Sequence, residues 1–195
     1  MDEKTQRSGR DTKAEAQRVA LALFSAKGYE ATSLREIADH LGISKASLYY
    51  HFKSKEDIVT SQMTSRGNEA AELLAWTRTQ PASPELLERT VLRWVDGTTI
   101  DKLRGIRFIN TNPALMRTMK DGPGVGTLRE SLSEIAEFLA GDQADPARIL
   151  LIRMALLSIN SAASAAAGTP TSDEDIVEAA RSMARALLAE LRSLD

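Results

Sequence analysis

The chain has 195 residues, 43% hydrophobic and 27% charged, with a formal net charge of −2 and no cysteine. This is the profile of an ordinary soluble globular chain, long enough for one ample core or for a small domain joined to a larger one. It excludes disulfides and thiolate metal centres, and 5% aromatics beside abundant Ala and Leu favour an all-helical build.

In chain order, residues 1–10 are a polar arm with no apolar run of the signal-peptide kind. Lys4, Arg7, Arg10 and, just beyond, Lys13 make it either a phosphate or minor-groove contact or a solvated tail. Both readings stay open. Residues 11–27 are expected to form a first helix, with Ala16, Val19, Ala20, Leu23 and Phe24 as its buried stripe and Gly28 at its end.

Residues 33–52, SLREIADHLGISKASLYYHF, read as helix, tight turn, helix. Ser33 caps the first of these helices, with Glu36 at the capping-box position. Leu34, Ile37, Ala38 and Leu41 share its apolar face. Gly42 supplies the left-handed turn residue. Ser44 caps the second helix, in which Leu48 and Phe52 point inward. That leaves Lys45, Ser47, Tyr49, Tyr50 and His51 outward, beside Lys53 and Lys55. Such a face suits phosphates and base edges. Charge is distributed accordingly. Residues 1–55 hold ten Lys/Arg against seven Asp/Glu, while residues 56–195 hold fifteen against twenty. A basic head on an acidic body is the asymmetry of a protein that meets nucleic acid with its head alone.

This helix-turn-helix stretch, read from residue 14 to 59, resembles the tetracycline-repressor (TetR) family of bacterial transcriptional regulators. The likeness rests on an amphipathic helix ending in FSAKGYEATS, then LREIADHLGIS, LYYHF and SKEDIV, all in register. It covers about the first third of the chain. It implies that Lys45, Ala46, Ser47 and Tyr49 face base edges, with Arg35 reaching the groove from the preceding helix. Ser33, Tyr50, His51 and Lys55 are then the contacts that set the register on the backbone, and Ser44 belongs to the same DNA-binding set.

A fourth helix opens at the cap Ser54, with Asp57 in the box position, and runs to about Thr79. It is long enough to join head to body rigidly. Ser83 and Pro84 signal the start of a fifth helix, ended by Gly97. A sixth helix spans 99–111, and Asn112-Pro113 starts a short seventh segment with Leu115, Met116 and Met119. The run DGPGVG at 121–126 is expected to be a loop. Without a preceding strand or a following Lys-Ser/Thr pair, it is no phosphate loop. Helices follow at about 127–140, from Asp145-Pro146 to about 167, and from the cap Ser172 onward, with three acids in its first turn. The total is nine or ten helices and no sheet.

The domain plan is an arm (1–10), a DNA-binding head (11–70) and an effector-binding and dimerisation domain (71–195). His40 and His51 are the only histidines, both in the head, and no catalytic, metal or cofactor motif stands out. No uncharged run reaches membrane-spanning length. The resemblance implies a cytoplasmic, homodimeric regulator of a pseudo-palindromic operator, a repressor released by a small-molecule effector. The alternative is a helical small-molecule binder or enzyme with a merely structural helix-turn-helix.

Dimerisation is expected through the last two helices. Their stripes are Ile149, Ile152, Leu156, Ile159 and Ala163, and Ile176, Ala180, Met183, Leu187 and Leu191. The effector site is expected among the middle helices. Trp76, Trp94, Phe108, Met116 and Phe138 are candidates for its walls, and Arg93, Arg107 and Asn110 for its polar points.

Overall fold

Local capping chemistry starts most of the helices where the sequence indicates. The structure, a computed structural model, describes residues 9–119, 122–142 and 144–194, apart from the side chains of residues 9–11, Met116, Thr118 and Pro123. The arm residues 1–8 lie outside the described residues. The helices are α1 (Gly9–Lys27), α2 (Leu34–Leu41), α3 (Lys45–His51), α4 (Lys55–Thr79), α5 (Leu86–Asp96) and α6 (Ile100–Thr111). They continue with α7 (Pro113–Met119), α8 (Pro123–Ala140), α9 (Pro146–Leu156), α10 (Ser158–Ala165) and α11 (Asp173–Ser193). Among the described residues there is no strand.

The chain divides into two units, Met1–Gln62 and Met63–Asp195. In the first, α1 packs on α2 and α2 on α3. Ala16, Ala20, Leu23, Phe24, Ile37, Leu48, Phe52, Ile58 and Val59 are all buried in this unit. In the second, α11 packs against α5, α6, α9 and α10, and α8 against α9. Ion pairs run along the same contacts. Asp173 in the first turn of α11 binds Arg104 at 3.1 Å and Arg107 at 2.6 Å, while Arg181 pairs with Asp96 at 2.7 Å and Arg192 with Glu88 at 2.6 Å.

Three elements differ from the sequence expectation. First, α5 starts at Leu86 without a side-chain cap. Ser83-Pro84 forms a turn instead, closed by the Leu86 N–H donating to the Ser83 carbonyl at 3.1 Å.

Second, DGPGVG is not a loop throughout, because α8 begins at Pro123. Its glycines serve a close approach to α4. A Cβ on Gly124 would lie 2.4 Å from the Thr64 nitrogen and 2.5 Å from the Met63 carbonyl carbon. One on Gly67 would lie 2.7 Å from the Gly124 oxygen. The two backbones touch at a pair of glycines.

Third, the helix expected from 146 to about 167 breaks at Leu157 into α9 and α10, bent by 60°. This brings the count to eleven among the described residues. The bend has an identifiable cause. A polar side chain enters the helical ladder there, the indole N–H of Trp94 donating to the Leu156 carbonyl at 3.0 Å. No single helix among the described residues is long and apolar enough to cross a membrane.

The stripes assigned to dimerisation face mostly inward. Ile152, Leu156, Ile159, Ala163, Ile176, Ala180 and Leu191 are all buried within the chain's own core. The large apolar side chains left exposed along one face of α9 are Leu150 and Met154, while Leu157, exposed at the break, lines the cavity between the middle helices.

Candidate nucleic-acid interface and ligand cavity

The turn between α2 and α3 is fixed by three short-range devices. Ser33 Oγ accepts from the Glu36 N–H at 3.2 Å, and Ser44 Oγ accepts from the Ser47 N–H at 3.1 Å. Gly42 has φ +64°, where a side chain would be strained, and its N–H donates to Asp39. The return half of the capping box is absent. The Glu36 carboxylate instead pairs with Lys27, which holds its pKa below the usual glutamate value.

With Leu48 and Phe52 sealed in the core, α3 has one orientation available. Tyr50 is 87% exposed and Tyr49 43%, with Lys45 and Ala46 also at the surface and Ser47 and His51 half-buried. The Lys45 ammonium lies 5.2 Å from the Tyr49 ring centroid, and the Tyr50 and His51 rings meet edge-on at 5.3 Å. Arg35, Ser33 and Ser44 are exposed nearby in sequence on α2 and at the two caps.

Lys55 is placed differently from the rest. Its ammonium donates to the Tyr29 carbonyl at 2.6 Å and lies over the Tyr29 ring. Its charge is engaged in holding the start of α4 to the α1–α2 connection. Burial, and then a hydrogen bond to Glu56, push the Tyr29 phenol well above its usual pKa.

The middle helices enclose a cavity of about 230 Å³ between α4, α5, α6, α8 and the α9–α10 bend. Ile106, Ile109, Leu128, Leu132 and Met63 supply apolar wall. Asn110, Ser133 and Asn160 supply neutral polar points. Three arginines, Arg66, Arg129 and Arg153, line it, and among the described residues no acidic side chain does.

Arg66 is the unusual member. It is 5% exposed, and its guanidinium lies 4.0 Å from the Trp94 ring centroid. Its hydrogen bond goes to Glu69 at 3.3 Å. Burial lowers its pKa, and Glu69 opposes that shift. Arg153 pairs with Glu137 at 2.8 Å through one terminal nitrogen, while its buried Nε has no acceptor.

Of the seven residues expected at the ligand site whose side chains are described, Trp94 and Asn110 line this cavity and the other five do not. Trp76 stacks with Arg93 at 4.6 Å and Arg89 at 5.5 Å. Arg107 is engaged by Asp173. Phe108 is buried elsewhere in the core, and Phe138 is 45% exposed beside a second pocket that also takes in Leu139, Arg148 and Leu188. The Met116 side chain lies outside the described residues. Sequence reasoning missed Arg66. Its signal was available, since Met63, Arg66, Ala70, Leu73 and Thr77 are all buried at heptad spacing along α4.

Residues 18–61 match the family model described as bacterial regulatory proteins, tetR family. The chain is similar to the HTH-type transcriptional regulator AcrR of Shigella flexneri. The two are 32% identical over 105 residues, which is 53% of this chain and 49% of AcrR. It is 59% identical over 39 residues to the negative transcriptional regulator IcaR of the icaADBC biofilm operon in Staphylococcus aureus, covering 20% of this chain and 21% of IcaR. The matches thus span half or less of these relatives' length. Among solved structures, a transcriptional regulator of the TetR/AcrR family from Thermobifida fusca is 29% identical with TM-score 0.50. That alignment covers 91% of this chain and 97% of the other.

Proposed function

Because residues 18–61 match the tetR family model and 105 residues are 32% identical to AcrR, we propose that the chain is a TetR-family regulator, a sequence-specific DNA-binding transcriptional repressor released from its operator by a small molecule. The observation that carries the reading is the outward face of α3. Lys45, Tyr49 and Tyr50 are exposed on a helix whose opposite side, Leu48 and Phe52, is fully committed to the core. A helix so held presents a preformed surface to the major groove. Lys45, Ala46, Ser47, Tyr49 and Arg35 read bases, while Ser33, Ser44, Tyr50 and His51 meet the backbone. Residues 1–10 are the arm, 11–70 the head, and 71–195 the domain that binds effector and dimerises. The protein works in the cytoplasm and is not an enzyme.

The dimer forms through the last helices by way of the α9 face carrying Leu150 and Met154, not the stripes that fill the core. A two-fold dimer accounts for a pseudo-palindromic operator. The cavity lined by Arg66, Trp94 and Asn110 is the effector site. A ligand there acts by its differential affinity for two conformers.

Selection of duplexes from a random library, followed by mobility shift, tests the reading. A recovered inverted repeat, bound by the wild type and lost on Tyr49→Ala with Lys45→Ala, is expected. A protein that retains no duplex and still binds small molecules would be a helical binder with a structural helix-turn-helix.

A further inference from the structure

The lining of the cavity is chemically one-sided. Arg66, Arg129 and Arg153 face it with no Asp or Glu among the described lining residues, and most of the remaining described wall is apolar. A cation is rarely left so deeply buried without full pairing, because desolvation is costly. Among the described residues Arg66 nevertheless has a single hydrogen bond, to Glu69, for a guanidinium with five donors. Arg153 leaves its buried Nε without an acceptor. Unpaired donors beside a cavity are unfavourable until an acceptor arrives. Glu69 and Glu137 pair with Arg66 and Arg153 from outside the lining, so it is the unmet guanidinium donors that call for an acceptor here, and a carboxylate is the strongest one.

From this, and resting on the reading of the cavity as the effector site, we propose that the ligand is an organic carboxylate with an apolar body. Its anionic head is taken by Arg153 and Arg66 and its body lies along Ile106, Ile109, Leu128 and Leu132. The planar carboxylate matches the guanidinium fork, which donates two parallel hydrogen bonds. Asn110, Ser133 and Asn160 are neutral, so they tune orientation without opposing the charge. A neutral ligand leaves the donors unsatisfied. A cationic one meets three like charges in a poorly solvated space.

The test uses direct binding, independent of DNA. The chain has two tryptophans, so Trp76→Phe leaves Trp94, in the cavity wall, as the single reporter. Full-length protein is titrated with octanoate and 4-phenylbutyrate, then with 1-octanol, 4-phenylbutanol, octylamine and 4-phenylbutylamine. The acids are expected to change Trp94 emission saturably and to bind at least tenfold tighter than the matched alcohols and amines. Arg153→Gln and Arg129→Gln, both partly exposed positions, should each narrow the gap between acid and alcohol severalfold. Neither should weaken alcohol binding. Equal affinity for acid and alcohol, tighter binding of the amines, or no saturable signal from either acid overturns the inference. Operator release is read separately by anisotropy of labelled DNA. Acids that bind with the expected preference but release no DNA uphold the carboxylate site and sink the effector reading. A protein that binds its operator and ignores the acids sinks the carboxylate site alone.

Discussion

The ammonium of Lys55 lies 2.6 Å from the Tyr29 carbonyl oxygen, which accepts its hydrogen bond, and 4.4 Å from the centroid of the same residue's ring. One side chain thus closes the head at the start of α4 with a charged hydrogen bond and a cation–π contact. Lys55→Met removes both. The head should lose roughly 1–2 kcal/mol, read as a lower midpoint in urea. The salt dependence of operator binding should stay as it is in the wild type. A slope shallower by about one unit, with unchanged stability, would make Lys55 a phosphate contact instead.

On α3 the two faces should separate cleanly. Leu48→Ala empties a fully buried site and should cost about 2–4 kcal/mol of stability. Tyr50→Ala, at a position 87% exposed, should leave the melting curve within about 0.5 kcal/mol of wild type while weakening DNA binding. Arg35→Ala should relax base preference by roughly 1–3 kcal/mol at one operator position, measured by competition among single-base variants. If Tyr50→Ala melts the protein and spares binding, the orientation given to α3 is wrong.

Trp94 holds the α9–α10 bend and stacks on Arg66 at once. Trp94→Phe keeps a ring for the guanidinium but strands the Leu156 carbonyl. The expected loss is about 1–3 kcal/mol, from chemical denaturation followed by far-UV circular dichroism. A variant as stable as wild type would mean that the bend survives without the indole N–H.

Acid should act early on the head. Glu56 has its pKa held below the usual 4.5, first by a hydrogen bond from its own backbone N–H and then by Tyr29. Glu36 is lowered by Lys27. Groups depressed in the folded state bind fewer protons there than in the unfolded chain. Their stabilisation is therefore full above the unfolded value and is lost as pH falls through the folded one. Melting temperature should hold steady from neutrality to about pH 4.5 and drop below it. Glu56→Gln should soften that drop. An unchanged acid limb would remove Glu56 from the account.

Much of the head was legible in the sequence because its determinants are local. Ser33, Gly42 and Ser44 each act within a few residues, and Leu48 and Phe52 fall on one face by spacing alone. The body was harder to read because its determinants are distant in sequence. The break at Leu157 depends on Trp94, 62 positions earlier, and nothing between 146 and 167 marks it. The apolar stripes of α9–α11 are evident in the sequence, but a stripe does not say whether its cover is the same chain or another copy. Residue type was a poor guide to the cavity. Trp76 and Arg93 look like ligand contacts, yet they satisfy one another on the surface. Arg66 looks like a surface cation, yet it occupies a core position of α4.

The glycine pair of α4 and α8 has a mechanical meaning. Side chains between two helices act as springs, because their rotamers absorb small displacements. Between Gly67 and Gly124 the contact is chiefly backbone to backbone, with the Thr127 side chain beside it, so the joint has little give. Val125 and Leu128, on the first turns of α8, also line the cavity. A displacement of α8 from within is therefore expected to be felt at the backbone of α4, a helix that runs from Lys55 to Thr79. Gly124→Ala inserts a wedge at this joint, since its Cβ would meet the Thr64 and Met63 backbone at 2.4–2.5 Å. It should cost about 1–3 kcal/mol and shift operator affinity in the absence of any ligand, as a gear cut with one tooth too many turns its partner while the drive is idle.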